Sequence, residues 1–293
     1  MKRNRLEKKA HMKNSLSARQ AIHPSAPGPR LNPVTACIRS TWLPVGLVLG
    51  MHAGTVWAGP QGEQIVGGTG NVNRPDTSTT VINQQSHNLA VDWSSFNVAA
   101  RELVQFNQPS ASATALNRIF DQNPSQIFGT INANGNVLLL NPNGVFFKPG
   151  ASVNVNSLVA GSLVNDPNRQ YGQAYDIDAT LAGQVTLQEV PGSGGIVVNQ
   201  GLIAAATGGS VSLVGGAVSN EGLILATAGQ VTLAAGSQIT MDFDGDGLIQ
   251  FTVDKEVLQN AQALDAAVKN TGTINADGGS VLLTGKAAKE VFT

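Results

Sequence analysis

Few residues in this 293-residue chain stand at spacings that could do chemistry, and each group can be tested against what a reaction needs. The stretch Asp242-x-Asp244-x-Asp246-Gly247 places oxygen ligands at alternate positions, with glycine where a calcium loop bends. The twelfth position, where a bidentate acid should fall, is Val253. Calcium is therefore a weak candidate beside an ordinary solvated turn, and no metal is assigned. Asp176 and Asp178, two apart, would put two carboxylates on one face of a strand, as glycoside hydrolysis requires. No acid, base and cleft can be assembled from that pair alone, so no enzyme activity is expected. Three of the four histidines, His11, His23 and His52, precede residue 59. The remaining one, His87, sits in an Asn/Gln-rich stretch without a nucleophile motif and reads as a surface side chain. A multi-histidine zinc site is excluded, and no cofactor is implied.

The elements that would position such groups fall into two segments of opposite charge. Residues 1–58 carry nine Lys/Arg against the single acid Glu7, whereas residues 59–293 carry nine Lys/Arg against eighteen Asp/Glu. The first segment reads as an extended signal peptide. Lys2, Arg3, Arg5, Lys8, Lys9 and Lys13 form a basic start, and Trp42 to Met51 form an apolar run too short to cross a hydrocarbon core of ~30 Å as a helix. Val56-Trp57-Ala58 supplies small residues for a peptidase, which places the cut between Ala58 and Gly59. A retained membrane anchor is the competing reading. Cys37 lies within this leader, so the mature chain would hold no thiol although bound for an oxidising compartment.

The second segment repeats. Asn199-Gln200-Gly201-Leu202-Ile203-Ala204-Ala205 leads to Gly209-Ser210-Val211-Ser212-Leu213, and Asn220-Glu221-Gly222-Leu223-Ile224-Leu225-Ala226 leads to Gly229-Gln230-Val231-Thr232-Leu233. Further copies begin at Gly129-Thr130-Ile131 and Asn270-Thr271-Gly272. Ile203 and Ala205, Val211 and Leu213, and their counterparts stand two apart, which puts them on one face of short strands. One copy cannot bury that face alone. Stacking the copies at ~4.8 Å, each strand parallel to its equivalent one repeat later, gives a continuous core. The expected fold is all-β: a right-handed parallel β-helix of about 20–21 residues per coil, two short strands in each copy, and close to eleven coils at most. The 22 asparagines of residues 59–293 fit it, because stacked amides hydrogen-bond along the axis. Propellers and sandwiches want more aromatics than 5% and longer repeats.

Two stretches break the rhythm. Residues 237–267 read as an insertion packed outside the stack: a hairpin turning at Asp244 to Gly247, then a short helix with Val257, Ala261, Leu264 and Val268 on one face. Residues 59–128, with Phe96 and Val98, then Glu102, Val104 and Phe106 in alternation, read as an N-terminal cap over the first coil's edge.

The most distinctive string is Val137-Leu138-Leu139-Leu140-Asn141-Pro142-Asn143-Gly144-Val145-Phe146-Phe147: a buried strand, a turn that Pro142 stiffens and Gly144 permits, and a second apolar strand. Further blocks accompany it, in order: Trp93-Ser94-Ser95-Phe96-Asn97-Val98, Phe106-Asn107-Gln108-Pro109-Ser110, Leu116-Asn117-Arg118 and Pro124-Ser125-Gln126-Ile127-Phe128-Gly129. Together they resemble the secretion domain at the amino end of two-partner-secretion (TPS) exoproteins, the filamentous haemagglutinin family. The long leader resembles that family's extended signal peptide, so residues 59–293 are expected to be the TPS domain.

The resemblance implies a right-handed β-helix exported by the general route across the inner membrane. A cognate outer-membrane β-barrel transporter would then recognise it through periplasmic domains and export it to the cell surface. Asn141, Pro142, Asn143 and Gly144 match the family's Asn-Pro-Asn-Gly secretion motif, while its second motif, Asn-Pro-Asn-Leu, has no counterpart here. A turn that must form for the coil to fold is the other reading of the motif. The chain stops at Val291-Phe292-Thr293 within the repeat rhythm. A truncated gene, a fragment and a small relative all fit that ending, and the resemblance implies that effector activity, with any contact to a host or neighbouring cell, lies downstream. No nucleic-acid partner is expected. An extracellular carbohydrate-active β-helix enzyme and a self-contained surface adhesin are the alternatives.

Overall fold

Period-two alternation is realised as strands that each meet their own equivalent in the next coil. The computed structural model describes residues 59–242, 249–256 and 266–286. Seven parallel strands, Thr79–Gln84, Leu103–Asn107, Thr130–Ala133, Ser152–Val155, Leu202–Ala205, Leu223–Leu225 and Thr273–Asn275, form one face. Seven more, Asn88–Trp93, Thr114–Ile119, Asn136–Leu140, Ser157–Gly161, Ser210–Gly215, Gln230–Ala235 and Ser280–Gly285, form a second. A narrower third face comprises Ser125–Ile127, Val145–Phe147, Ile196–Asn199, Ala217–Asn220 and Val268–Asn270. The chain visits the three faces in turn, so the protein is a parallel β-helix with three strands per complete coil.

The interior is built from columns of like residues. Val104, Ile131, Val153, Ile203, Ile224 and Ile274 are register partners in succession on the first face. Ala115, Val137, Leu158, Val211 and Val231 do the same on the second. The members with complete burial, such as Val153, Ile203 and Val211, each stabilise the stack by about 1.5–3 kcal/mol. Amides run alongside. Asn199 donates to Asn220 at 2.8 Å and Asn220 to Asn270 at 2.7 Å, a ladder inside one bend. A second column, Gly209, Gly229 and Gly279, admits no side chain, because a Cβ on Gly229 would stand 1.7 Å from the Gly209 carbonyl oxygen. That close approach is why the repeat carries glycine there.

The coil count lies within the expected maximum, and the cap is shorter than expected. Among the described residues the stack has seven coils, roughly 30 Å at ~4.8 Å per step. Thr130 pairs with Ser152 and Leu202 with Leu223, spacings close to the repeat, but Ser152 pairs with Leu202 and Leu223 with Thr273, each 50 residues on. Each long step carries an insertion, which leaves room for fewer coils. At the amino end of the stack the pairing is antiparallel, Gln64–Gly67 against Asn88–Trp93 and Gly70–Asp76 against Thr79–Gln84. Residues 79–128, expected within the cap, already belong to the first coils, and Trp93, Phe96, Val98 and Phe106 are core.

The second insertion contains the expected hairpin strands, Gln238–Asp242 and Gln250–Lys255, paired antiparallel. Its turn, and residues 257–265 of the expected helix, lie outside the described residues. The first insertion, residues 162–195, has no counterpart in the sequence reading. It contributes Gln184–Gln188, which pairs antiparallel with Gln238–Asp242 to make a three-stranded outer sheet. Val185, Leu187, Ile239, Met241, Phe251 and Val253 of that sheet cluster with the outward Leu138, Leu140, Val159, Val214 and Ala234 of the second face. Two-sided burial explains why Val137 to Leu140 is apolar at every position.

Two predictions follow from local backbone and charge. Ala228, with φ 53°, occupies the turn position that Gly208 and Gly278 hold in other coils. A left-handed alanine costs about 1–2 kcal/mol and glycine loses about 0.5–1 kcal/mol to chain entropy, so Ala228→Gly should stabilise by about 0.5–1 kcal/mol in urea denaturation. In the cap, Arg74 donates to both carboxylate oxygens of Glu63 at 2.7 Å and to the Pro60 carbonyl. That hydrogen bond holds the Glu63 carboxyl below its ordinary value. A depressed acid contributes stability above its unfolded pKa and loses it as pH falls through the folded one. The stability difference between native protein and Glu63→Gln should therefore be below about 1 kcal/mol at pH 7 and shrink progressively as pH falls below about 4.

Candidate functional site

The motif Asn141-Pro142-Asn143-Gly144 forms the bend from the second face to the third. Gly144 N donates to the Asn141 carbonyl at 2.8 Å, closing a four-residue turn, and Asn143 N donates to Asn141 Oδ1 at 2.9 Å. The Asn141 side chain is fully buried. Its Nδ2 donates to the Asn123 carbonyl at 3.1 Å and to Ser125 Oγ at 3.0 Å, both one coil back. Asn143 Nδ2 reaches the Asp121 carbonyl at 2.7 Å. On the other side the Asn141 amide donates to the Gly161 carbonyl at 2.9 Å. Gly144, at φ 112°, lies where a Cβ would come within 2.6 Å of the Ile196 carbonyl oxygen. The turn is thus a clasp across three coils, and its central carboxamide is spent on that clasp.

Pro142 and Asn143 are the motif residues that reach an open surface. They line a groove of about 350 Å³ with Phe120 and Asp121 from the preceding coil and Val164, Pro167 and Pro191 from the first insertion. The insertion is fixed there by a buried charge pair. Arg118 Nε donates to Asp92 Oδ1 at 2.8 Å, and Gly172 N of the insertion donates to Asp92 Oδ2 at 2.8 Å. Burial pushes the Asp92 carboxyl up, and the Arg118 charge pulls it back. The guanidinium groups of Arg118 and Arg169 each lie 4.4 Å from the Tyr175 ring centroid. Tyr171 packs edge-on against Phe120 and donates its hydroxyl to the Gly62 carbonyl. Both tyrosines of the chain sit in this insertion, a compositional signal that could have marked it.

The other sequence candidates do not assemble with this groove. Asp176 and Asp178 are not on a strand. Asp176 caps the short helix Ile177–Leu181, accepting from Ala179 N at 3.0 Å, and Asp178 accepts from Asn88 Nδ2 at 2.8 Å. Asp242 ends a hairpin strand and accepts from Gln184 Nε2, while Asp244 and Asp246 lie outside the described residues, as does Ala58. Among the described residues no group of three His, Cys, Asp or Glu side chains could hold a metal. His87 is exposed.

The seven coils among the described residues define the class, a parallel β-helical domain. Residues 59–293 match the model of the TPS secretion domain, and the chain belongs to that family. The crystal structure of the HMW1 secretion domain from Haemophilus influenzae is similar at 29% identity and TM-score 0.64, covering 77% of this chain and 57% of that one. The filamentous hemagglutinin secretion domain aligns at 16% identity and TM-score 0.48, over 78% of this chain and 98% of that one. Two heme/hemopexin-binding proteins of Haemophilus influenzae are 39% identical over 118 residues and 34% identical over 130. Those matches take in 39% and 44% of this chain but only 13% and 14% of the relatives' length. The chain is a secretion-targeting domain of the two-partner type.

The clasp predicts a graded response to mutation. Asn141→Ala strands the buried Ser125 hydroxyl and removes the partner of the part-buried Asn123 carbonyl and Asn143 amide, and should cost about 2–4 kcal/mol in urea denaturation, whereas Asn143→Ala, at a half-buried position, should cost about 1 kcal/mol.

Proposed function

We propose that residues 59–293 are the export address of a longer exoprotein. A cognate outer-membrane β-barrel transporter reads it through periplasmic domains. On this reading the leader carries the chain through the general export route, and signal peptidase cuts between Ala58 and Gly59. The family match supports that boundary, since it starts at Gly59. The product is delivered to the cell surface, where contact with other cells belongs to sequence outside this domain.

The single observation that carries the proposal is that the family match spans the whole β-helix with Asn141-Pro142-Asn143-Gly144 at its cross-coil clasp. The fold supplies a physical sense for an export domain. Each coil adds backbone pairing and buried columns to the one before it, so folding outside the membrane opposes the return of an unfolded chain. No enzymatic role is assigned: Asp176 and Asp178 are spent on a helix cap and on Asn88.

The test is export in a strain carrying the partner transporter. Replacing Asn141 and Asn143 together by alanine should leave the product in the periplasm, and normal surface delivery of that variant would remove the motif from the mechanism. Chain purified from the periplasm should also show the double variant less stable by more than Asn143→Ala alone.

A further inference from the structure

A second cleft, on the outer side of the second face, is separate from the motif groove. Its volume is about 420 Å³, and among the described residues no Lys, Arg, Asp or Glu side chain lines it. Thr114, Asn136 and Ser157 form its wall on three successive coils, with Thr114 and Ser157 both register partners of Asn136. Leu138, Leu181 and Ile249 supply an apolar floor. Part of the polar capacity is used internally. Asn156 Nδ2 donates to Asn136 Oδ1 at 2.9 Å, and Asn88 Nδ2 donates to Asp178. Among the described residues Asn88 Oδ1 and Asn156 Oδ1 accept nothing, and the His87 ring makes no hydrogen bond.

An uncharged cleft has nothing to hold a phosphate, a carboxylate or a metal ion. Carboxamides and hydroxyls that both donate and accept, set beside apolar carbon, match a ligand whose hydroxyls ring an apolar C–H face. The wall's own polar atoms bond internally, Asn136 Nδ2 to the Ser112 carbonyl and Thr114 Oγ1 and Ser210 N to Ser157 Oγ, so the groups left for a ligand are Asn88 Oδ1, Asn156 Oδ1 and the His87 ring, spread over successive coils. We propose that this cleft binds a neutral oligosaccharide along the stack axis. The same chemistry is found in plain and in N-acetylated pyranose chains.

The experiment is titration calorimetry of the purified full-length protein with cellotetraose and with chitotetraose, using a galacturonate tetramer as the charged comparison. At least one neutral probe should bind with Kd on the order of a millimolar or tighter, and the acidic one at least about tenfold more weakly. Which neutral probe binds distinguishes plain from N-acetylated glycan. Ser112→Trp, at an exposed rim position, should lower affinity at least about tenfold by filling the cleft, and Asn156→Ala should weaken it with the rim unaltered. Failure of both neutral probes to bind, equal binding of the acidic one, or affinity unchanged in Ser112→Trp would overturn the proposal. The readout needs no transporter, so it stands or falls apart from the export reading.

Discussion

Parallel, in-register stacking is the constraint on which everything else in this protein depends. A strand such as Ser152–Val155 has partners only on the coils before and after it, Thr130–Ala133 and Leu202–Ala205. A slip by one residue would turn Val153 from the core to solvent and bring Asn154 inside. The columns of Val and Ile, the amide ladder through Asn199, Asn220 and Asn270, and the glycine column at 209, 229 and 279 all enforce one register. Because these devices recur coil by coil, the free energy of the stack is a sum of neighbour terms rather than a property of one central core.

The two 50-residue steps show how such a stack acquires features that its repeat does not contain. Each insertion leaves the coil and returns to the next rung without disturbing the ladder on the first face. Strands from both insertions then pair with each other, Gln184–Gln188 with Gln238–Asp242. That outer sheet buries Leu138, Leu140, Val214 and Ala234, positions that would otherwise face water. The second face is therefore sandwiched, and both the motif groove and the uncharged cleft lie where insertion residues meet it.

Much of this was legible because repetition is local. Period-two alternation in Leu202 to Ala205 and Ser210 to Leu213, and the recurring Asn and Gly, specified strands, stacking and amide ladders without tertiary knowledge. The third face was less visible: Val145–Phe147 read as an apolar strand after the motif turn, but Ser125–Ile127 and Val268–Asn270, three residues each, show too little pattern. The first insertion was missed because Gln184–Gln188 alternates like any coil strand, and only its antiparallel partner reveals where it belongs. For the same reason Asp176 and Asp178 read as strand carboxylates, although the Asp176 side chain serves as a helix cap. The motif was legible as a turn, but its bonds to Asp121, Asn123 and Ser125 join residues 16 to 22 apart and depend on the coil length.

The position of the motif relative to the first insertion gives it a structural task that a solvent-exposed address would lack. The chain departs from the stack after Gly161 and must re-enter at Ile196, and closing that excursion costs entropy. The clasp borders both points: the Asn141 amide binds the Gly161 carbonyl, and a Cβ on Gly195 would lie 2.1 Å from the Pro142 carbonyl oxygen. Asn141 itself is anchored one coil back through Asn123 and Ser125. A formed turn thus presents a fixed shoulder against which the returning strand Ile196–Asn199 can pair with Val145–Phe147. Without it, the coils after the insertion would have to find their register from a disordered edge. The hydrogen bonds that close the turn thus also set the register in which the stack continues past its first interruption.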